Sequence, residues 1–202
     1  MTIPLLKQLQ DDHRDYDGLL CILDRQLAGA CKGDMPDFTL MRDILHYLTR
    51  HAERVHHALE ELVFERLAIR HPEIQPTLTL LDEEHRRIRV YGEELYVKFI
   101  ALSSAGSTAE IDSATSNTIQ AYIELYRARM HGEESRWLTS LAETLPASDW
   151  LGLLTACDWK CDPLLRPDAA EAFQTLKSHI ARNGAGYWMG QDRKADFCPL
   201  CS

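Results

Sequence analysis

Residues 38–69 read FTLMRDILHYLTRHAERVHHALEELVFERLAI, and in this stretch the apolar period and the ionisable residues overlap. Met41, Leu45, Leu48, Ala52, Val55, Leu59, Leu62 and Arg66 recur every three or four positions, the spacing of one face of a helix. His71-Pro72 closes the run, because proline disfavours helix at the residue before it. Upstream, Gly33, Asp34, Met35, Pro36 and Asp37 read as a turn. A first helix is expected over about 3–30, with Leu6, Leu9, His13, Tyr16, Leu20 and Leu27 on one stripe. A third is expected over about 77–102, a loop over 103–108, and a fourth helix over about 111–144, ending before Pro146. Four long amphipathic helices with short connections imply an all-α, antiparallel up-down four-helix bundle over residues 1–146. Residues 147–202 read as a C-terminal extension, with a short helix over about 168–182 and a cysteine-containing tail.

Composition narrows the function classes. Hydrophobic residues make up 45% and charged residues 26% of the 202, as in an ordinary globular protein. The net charge of −9, without any dense Lys/Arg cluster, argues against nucleic acid and against anionic membrane as partners. No apolar run approaches the ~20 residues of a membrane span, and the N-terminus lacks the features of a secretory signal. The expected location is therefore the cytoplasm, with the six cysteines mostly reduced. A homodimer is compatible with all of this.

The inward stripes carry residues that an apolar core would exclude. At about 100° of rotation per residue, His13 lies at the centre of the first stripe. With Leu59 as the middle of the second, His56 is about 60° away and Glu60 about 100°, whereas His57 and Glu61 lie about 160° away and are expected in solvent. The same count puts His46 outward and leaves His51 marginal. On the third helix His85 falls about 60° from Ile88, with Glu84 about 40° off on the other side. On the fourth, Glu133 lies about 20° and Arg129 about 60° from Tyr126, while His131 faces out at about 140°. Three histidines and two carboxylates buried on four helices without a cation would cost several kcal/mol. Mixed imidazole and carboxylate ligands suit iron, zinc or manganese.

Four segments carry a likeness to a known family: Leu9-Gln10-Asp11-Asp12-His13-Arg14 followed by Leu19-Leu20; Tyr47 through Arg54-Val55-His56-His57 to Glu60 and Phe64; Leu81-Asp82-Glu83-Glu84-His85; and Tyr126-Arg127 through Met130 to Glu133-Glu134. Over roughly residues 3–150 the chain resembles the bacterial hemerythrin-like (HHE cation-binding) domains. The resemblance implies a bundle holding a non-haem di-iron centre, with His13, His56, Glu60, His85 and Glu133 as metal ligands, and Glu133 able to bridge two ions. It also implies binding or sensing of dioxygen or nitric oxide, or iron storage and delivery. The chain departs from the pattern at Arg129, where the family usually has a histidine, and His131 could replace it only through a local π-bulge. Three outcomes follow: a di-iron site completed by water or Tyr16, a single-metal site, or a metal-free bundle bridged by Arg129.

The function expected on these grounds is non-enzymatic gas binding or sensing. The alternatives are an iron-dependent enzyme acting on peroxide or nitric oxide or donating iron, and a structural bundle without metal. In the tail, Cys198 and Cys201 form a Cys-x-x-Cys, and with Cys157 and Cys161 upstream they could hold zinc or serve a redox role. No nucleophile motif, phosphate loop or dinucleotide fingerprint points to other chemistry.

Overall fold

A computed structural model of the chain describes residues 3–105 and 110–156, together with Leu176 and Ser178. Among these residues the chain is all-helical, without a strand. Helix α1 spans Pro4–Ala30, opening on a proline whose fixed φ and missing N–H suit the first turn. Gly33, at φ 92°, makes the turn after it. Asp37 then caps α2 (Phe38–Tyr47) by accepting from the Leu40 N–H at 2.9 Å, while Gln26 Oε1 accepts from the Asp37 N–H at 2.7 Å. A π-helical turn at Leu48–Ala52 joins α2 to α3 (Glu53–Arg70) without a break. A short 3₁₀ turn (Pro72–Ile74) leads into α4 (Gln75–Ala105), so helix continues through part of the loop expected from residue 103. Asp112 caps α5 (Ser113–Glu133) through the Thr115 N–H at 2.7 Å. A second π turn (Glu134–Leu138), α6 (Thr139–Thr144) and α7 (Ala147–Ala156) complete the described chain.

The helices pack around a common interior, α1 against α2, α3 and α5, and α4 against α2, α3 and α5. Every member of the first expected stripe, from Leu6 to Leu27, is buried. Gly92 on α4 permits a close approach to the π turn, since a Cβ there would stand 2.7 Å from Thr49 Cγ2 and 3.2 Å from the Tyr122 ring. At the other end α7 lies against α3. Asp149 pairs with Arg70 at 2.9 Å, and the Trp150 indole N–H donates to the Leu145 carbonyl at 3.1 Å.

The apolar interior is divided in two. One cluster gathers Tyr16, Leu20, Leu23, Met41, Leu45, Phe99, Ile119 and Tyr122, and buried Leu176 joins it. The other gathers Leu5, Leu9, Val63, Leu67, Leu138, Leu141 and Trp150. Asp12, His13, His56, His57, Glu60, His85, Arg129 and Glu133 are also buried, and α1, α3, α4 and α5 bring seven of them from His13 onward into one polar layer with Asp12 beside it. The helix expected over 168–182 lies outside the described residues apart from Leu176 and Ser178, both helical, and the four tail cysteines lie outside them altogether.

Candidate metal centre

The π turn at Leu48–Ala52 decides which side chains of α3 enter this layer. Such a turn accommodates one extra residue, so the inward stripe that begins Met41, Leu45, Leu48, Ala52 resumes about 100° later. It continues through His56, Glu60, Val63 and Leu67, all buried, and leaves Val55, Leu62 and Arg66 half-exposed. Glu60, not Leu59, is therefore the centre of the buried face. His57, only about 60° from Glu60, is 5% exposed and lies inside, contrary to the expectation that it is solvated. Glu61 does face solvent.

Glu60, 1% exposed, meets imidazoles on both sides. On the first side His56 Nε2 lies 3.2 Å and His13 Nε2 3.5 Å from Oε1, and the two Nε2 atoms are 3.1 Å apart. The outer ring nitrogens have carboxylate partners: His56 Nδ1 is 2.9 Å from Asp12 Oδ2, and His13 Nδ1 is 3.2 Å from Glu134 Oε1. With each Nδ1–H donated to its carboxylate, both Nε2 lone pairs converge on Glu60, which is how metal-binding histidines are usually oriented. Glu133 adds a second carboxylate beside His13 Nε2, with Oε2 3.3 Å away. Tyr16 packs edge-on against His56, with ring centroids 5.1 Å apart.

On the second side His85 Nε2 is 3.2 Å from Glu60 Oε2 and 4.0 Å from Glu133 Oε1. Its ring stacks on His57, with centroids 4.1 Å apart and 29° between planes. Arg129 fills the remaining space. Its Nε donates to Glu133 Oε1, Nη1 donates to the Leu81 carbonyl at 2.7 Å, and Nη2 stands 3.7 Å from Glu60 Oε2. Half-exposed Glu84 is 3.7 Å from Nη1.

Burial opposes charge on His13, yet Glu133, Glu134 and Glu60 hold its pKa well above the usual imidazole value. Burial likewise opposes charge on His56, but the Glu60 carboxylate and Asp12 raise it to about 9. Two Nε2 atoms 3.1 Å apart accept only one proton between them, so the high proton affinity is that of a shared site prepared for positive charge. Burial disfavours an ionised Glu60, but His56, His13 and His85 keep its pKa well below the carboxylate range. Glu133 is raised by burial and then by the negative charge of Glu60, against the pull of His13 and Arg129. His85 goes the other way: burial, with His57 and Arg129 nearby, lowers it to about 4 despite the Glu60 contact.

These residues fit a bound cation. Both Glu60 oxygens, His85 Nε2 and Arg129 Nη2 are buried without a hydrogen-bond partner, their contacts with one another being poorly aligned. Two sets of ligand atoms, from His13, His56 and Glu60 and from His57, Glu60 and His85, each lie within 4.8 Å of one another and could hold a metal ion. Glu60 belongs to both sets, whereas the family resemblance implies that Glu133 could bridge two ions.

Of the residues singled out in sequence, the fold gathers His13, His56, Glu60, His85, Glu133, Arg129 and the ring of Tyr16. His131 is exposed; the α5 π turn occurs, but C-terminal to it at Glu134–Leu138, where it cannot rotate His131 inward. Asp12, His57 and Glu134 were not anticipated as neighbours of the centre. Their signal was present in Asp12-His13, His56-His57 and Glu133-Glu134, where each additional ionisable residue adjoins a residue on an inward stripe.

Among the described residues no helix is long and apolar enough to cross a membrane. No curated protein and no solved structure matches the chain. The family model described as the hemerythrin HHE cation-binding domain matches residues 5–141, a span that runs from the first turn of α1 through α5 and includes every residue of the polar layer. The chain therefore belongs to the hemerythrin HHE cation-binding family.

Proposed function

We propose that this chain holds non-haem iron in the polar layer and uses it to bind or sense dioxygen or nitric oxide, in an antiparallel up-down bundle. The observation that carries the proposal is the convergence of two carboxylate-oriented imidazoles on Glu60, whose two oxygens are buried without hydrogen-bond donors. Mixed nitrogen and oxygen donors suit iron among the first-row metals. Iron bound there supplies the redox-active centre that a diatomic gas engages. The chain's own residues orient and insulate the site. Asp12 and Glu134 hold the imidazoles, Tyr16 covers His56 from the side, and the two apolar clusters keep bulk water out.

Anaerobic loading with ferrous iron tests the proposal. Retained iron with visible absorption that changes on admission of air or nitric oxide is the expected result. A colourless protein that releases all its iron on desalting contradicts it. Sustained consumption of peroxide or nitric oxide without iron loss would instead identify an enzyme. A second reading, a metal-free structural bundle, draws on the Arg129–Glu133 ion pair, which already neutralises one buried carboxylate. That reading requires His13→Ala and His85→Ala to leave both metal content and stability unchanged.

A further inference from the structure

Arg129 is 4% exposed and anchored at Glu133 Oε1 and the Leu81 carbonyl, with Nη2 3.7 Å from Glu60 Oε2. A guanidinium does not lose its proton in a protein, so this is a permanent buried charge. We propose that Arg129 takes the place of a second metal ion, so that the chain binds a single ion between His13, His56, Glu60 and Glu133. The inference rests on the metal-binding reading above and specifies its stoichiometry.

Four features of the layer support it. The first is the division of Glu133, whose Oε1 is held by Arg129 while Oε2 faces His13 Nε2 at 3.3 Å, on the side of the first imidazole pair. The second is ring geometry. His13 and His56 are inclined at 56°, and their Nε2 atoms approach to 3.1 Å, so their lone pairs meet at one point. His57 and His85 instead lie nearly face to face, and in-plane lone pairs on stacked rings run side by side rather than toward one ion. Third, His13 and His56 have carboxylates behind them, whereas the guanidinium lies on the His85 side of Glu60.

The fourth is charge. The guanidinium pairs with Glu133 Oε1 and stands 3.7 Å from Glu60 Oε2, so the carboxylate oxygens on the His85 side already face a fixed positive charge. A second divalent ion there would sit against that like charge, in a layer closed to water where such repulsion is costly. An arginine fixed beside the shared carboxylate thus supplies half the charge of the second divalent ion whose place it takes.

Metal content of the full-length chain tests this. Wild type, Arg129→Lys and Arg129→His are loaded anaerobically with ferrous iron, desalted and analysed, and wild type is loaded separately with Mn²⁺ for electron paramagnetic resonance. The expected result is one ion per chain in wild type and in Arg129→Lys, two in Arg129→His, and the hyperfine sextet of an isolated Mn²⁺ ion in wild type. Two ions in wild type, or the spectrum of a coupled manganese pair, overturns the inference while leaving the metal-binding reading intact. No retained ion overturns both. A folded Arg129→His that still holds one ion removes Arg129 from the role. Should that variant fail to fold, the wild-type stoichiometry and manganese spectrum still decide between one ion and two.

Discussion

The two sides of Glu60 use similar parts to different ends. On one, His13 and His56 are tilted together, backed by Asp12 and Glu134, and raised in proton affinity. On the other, His57 and His85 are stacked, His85 is lowered to about 4, and the positive charge is already provided by Arg129. The difference teaches that a count of histidines and carboxylates does not define a metal site. What defines it is the direction in which their lone pairs point and whether a resident cation has already neutralised the carboxylates.

Removing the shared carboxylate should break both sides at once. Glu60→Ala is expected to leave no metal on the chain after desalting; metal retained at the wild-type level would show that Glu60 is not the centre. Next in size is the contrast between outer carboxylates. Asp12→Asn, which weakens the orientation of His56, should reduce metal affinity by about 10–100-fold, the usual effect of losing such a partner. Glu84→Gln, next to Arg129 on the other side, should change it little. Equal losses in a metal titration would erase the distinction between the two sides.

The scaffold that aligns the two sides depends on the close approach at Gly92. Gly92→Ala should cost about 1–3 kcal/mol by overpacking against Thr49 and Tyr122, read as a lower midpoint in thermal denaturation. An unchanged midpoint would mean that α4 is free to shift away from the π turn. The pH dependence of the metal-free protein should separate the two sides more finely. His56, raised to about 9, contributes stability that is fully present below the unfolded value near 6.5 and is lost as pH rises through about 9. His85, lowered to about 4, has the opposite sign, and stability falls as pH drops from about 6.5 toward 4. His56→Gln should therefore weaken the alkaline limb of a melting-temperature profile, His13 keeping part of the shared proton affinity, and His85→Gln should flatten the acid limb. Loss of both limbs in either variant would mean that the two sides titrate as one.

Much of this was legible in the sequence, and the remainder was hidden by one local feature. The stripe of α1, the turn at 31–37 and the Pro72 boundary follow from apolar spacing and turn residues, because each is a local preference. Along residues 38–69 a constant 3.6-residue repeat does not place the inward face correctly. The π turn inserts one residue into that repeat, moves the centre of the buried face from Leu59, which stays buried, to Glu60, and brings His57 inside. A trace remained in the sequence: the unshifted stripe ends on the charged Arg66, whereas the shifted one ends on Val63 and Leu67. The ring stacking of His57 on His85 and the anchoring of Arg129 to the Leu81 carbonyl depend on contacts between helices, which periodicity along one helix does not encode.

A single ion on the His13–His56 side of Glu60, with Arg129 as its fixed companion, has a distinctive diffraction signature. Anomalous diffraction at the iron edge, from crystals grown anaerobically with ferrous iron, tests that placement most directly. One peak within bonding distance of His13 Nε2, His56 Nε2 and Glu60 is the predicted result. A second peak beside His85, or the sole peak on that side, would contradict it.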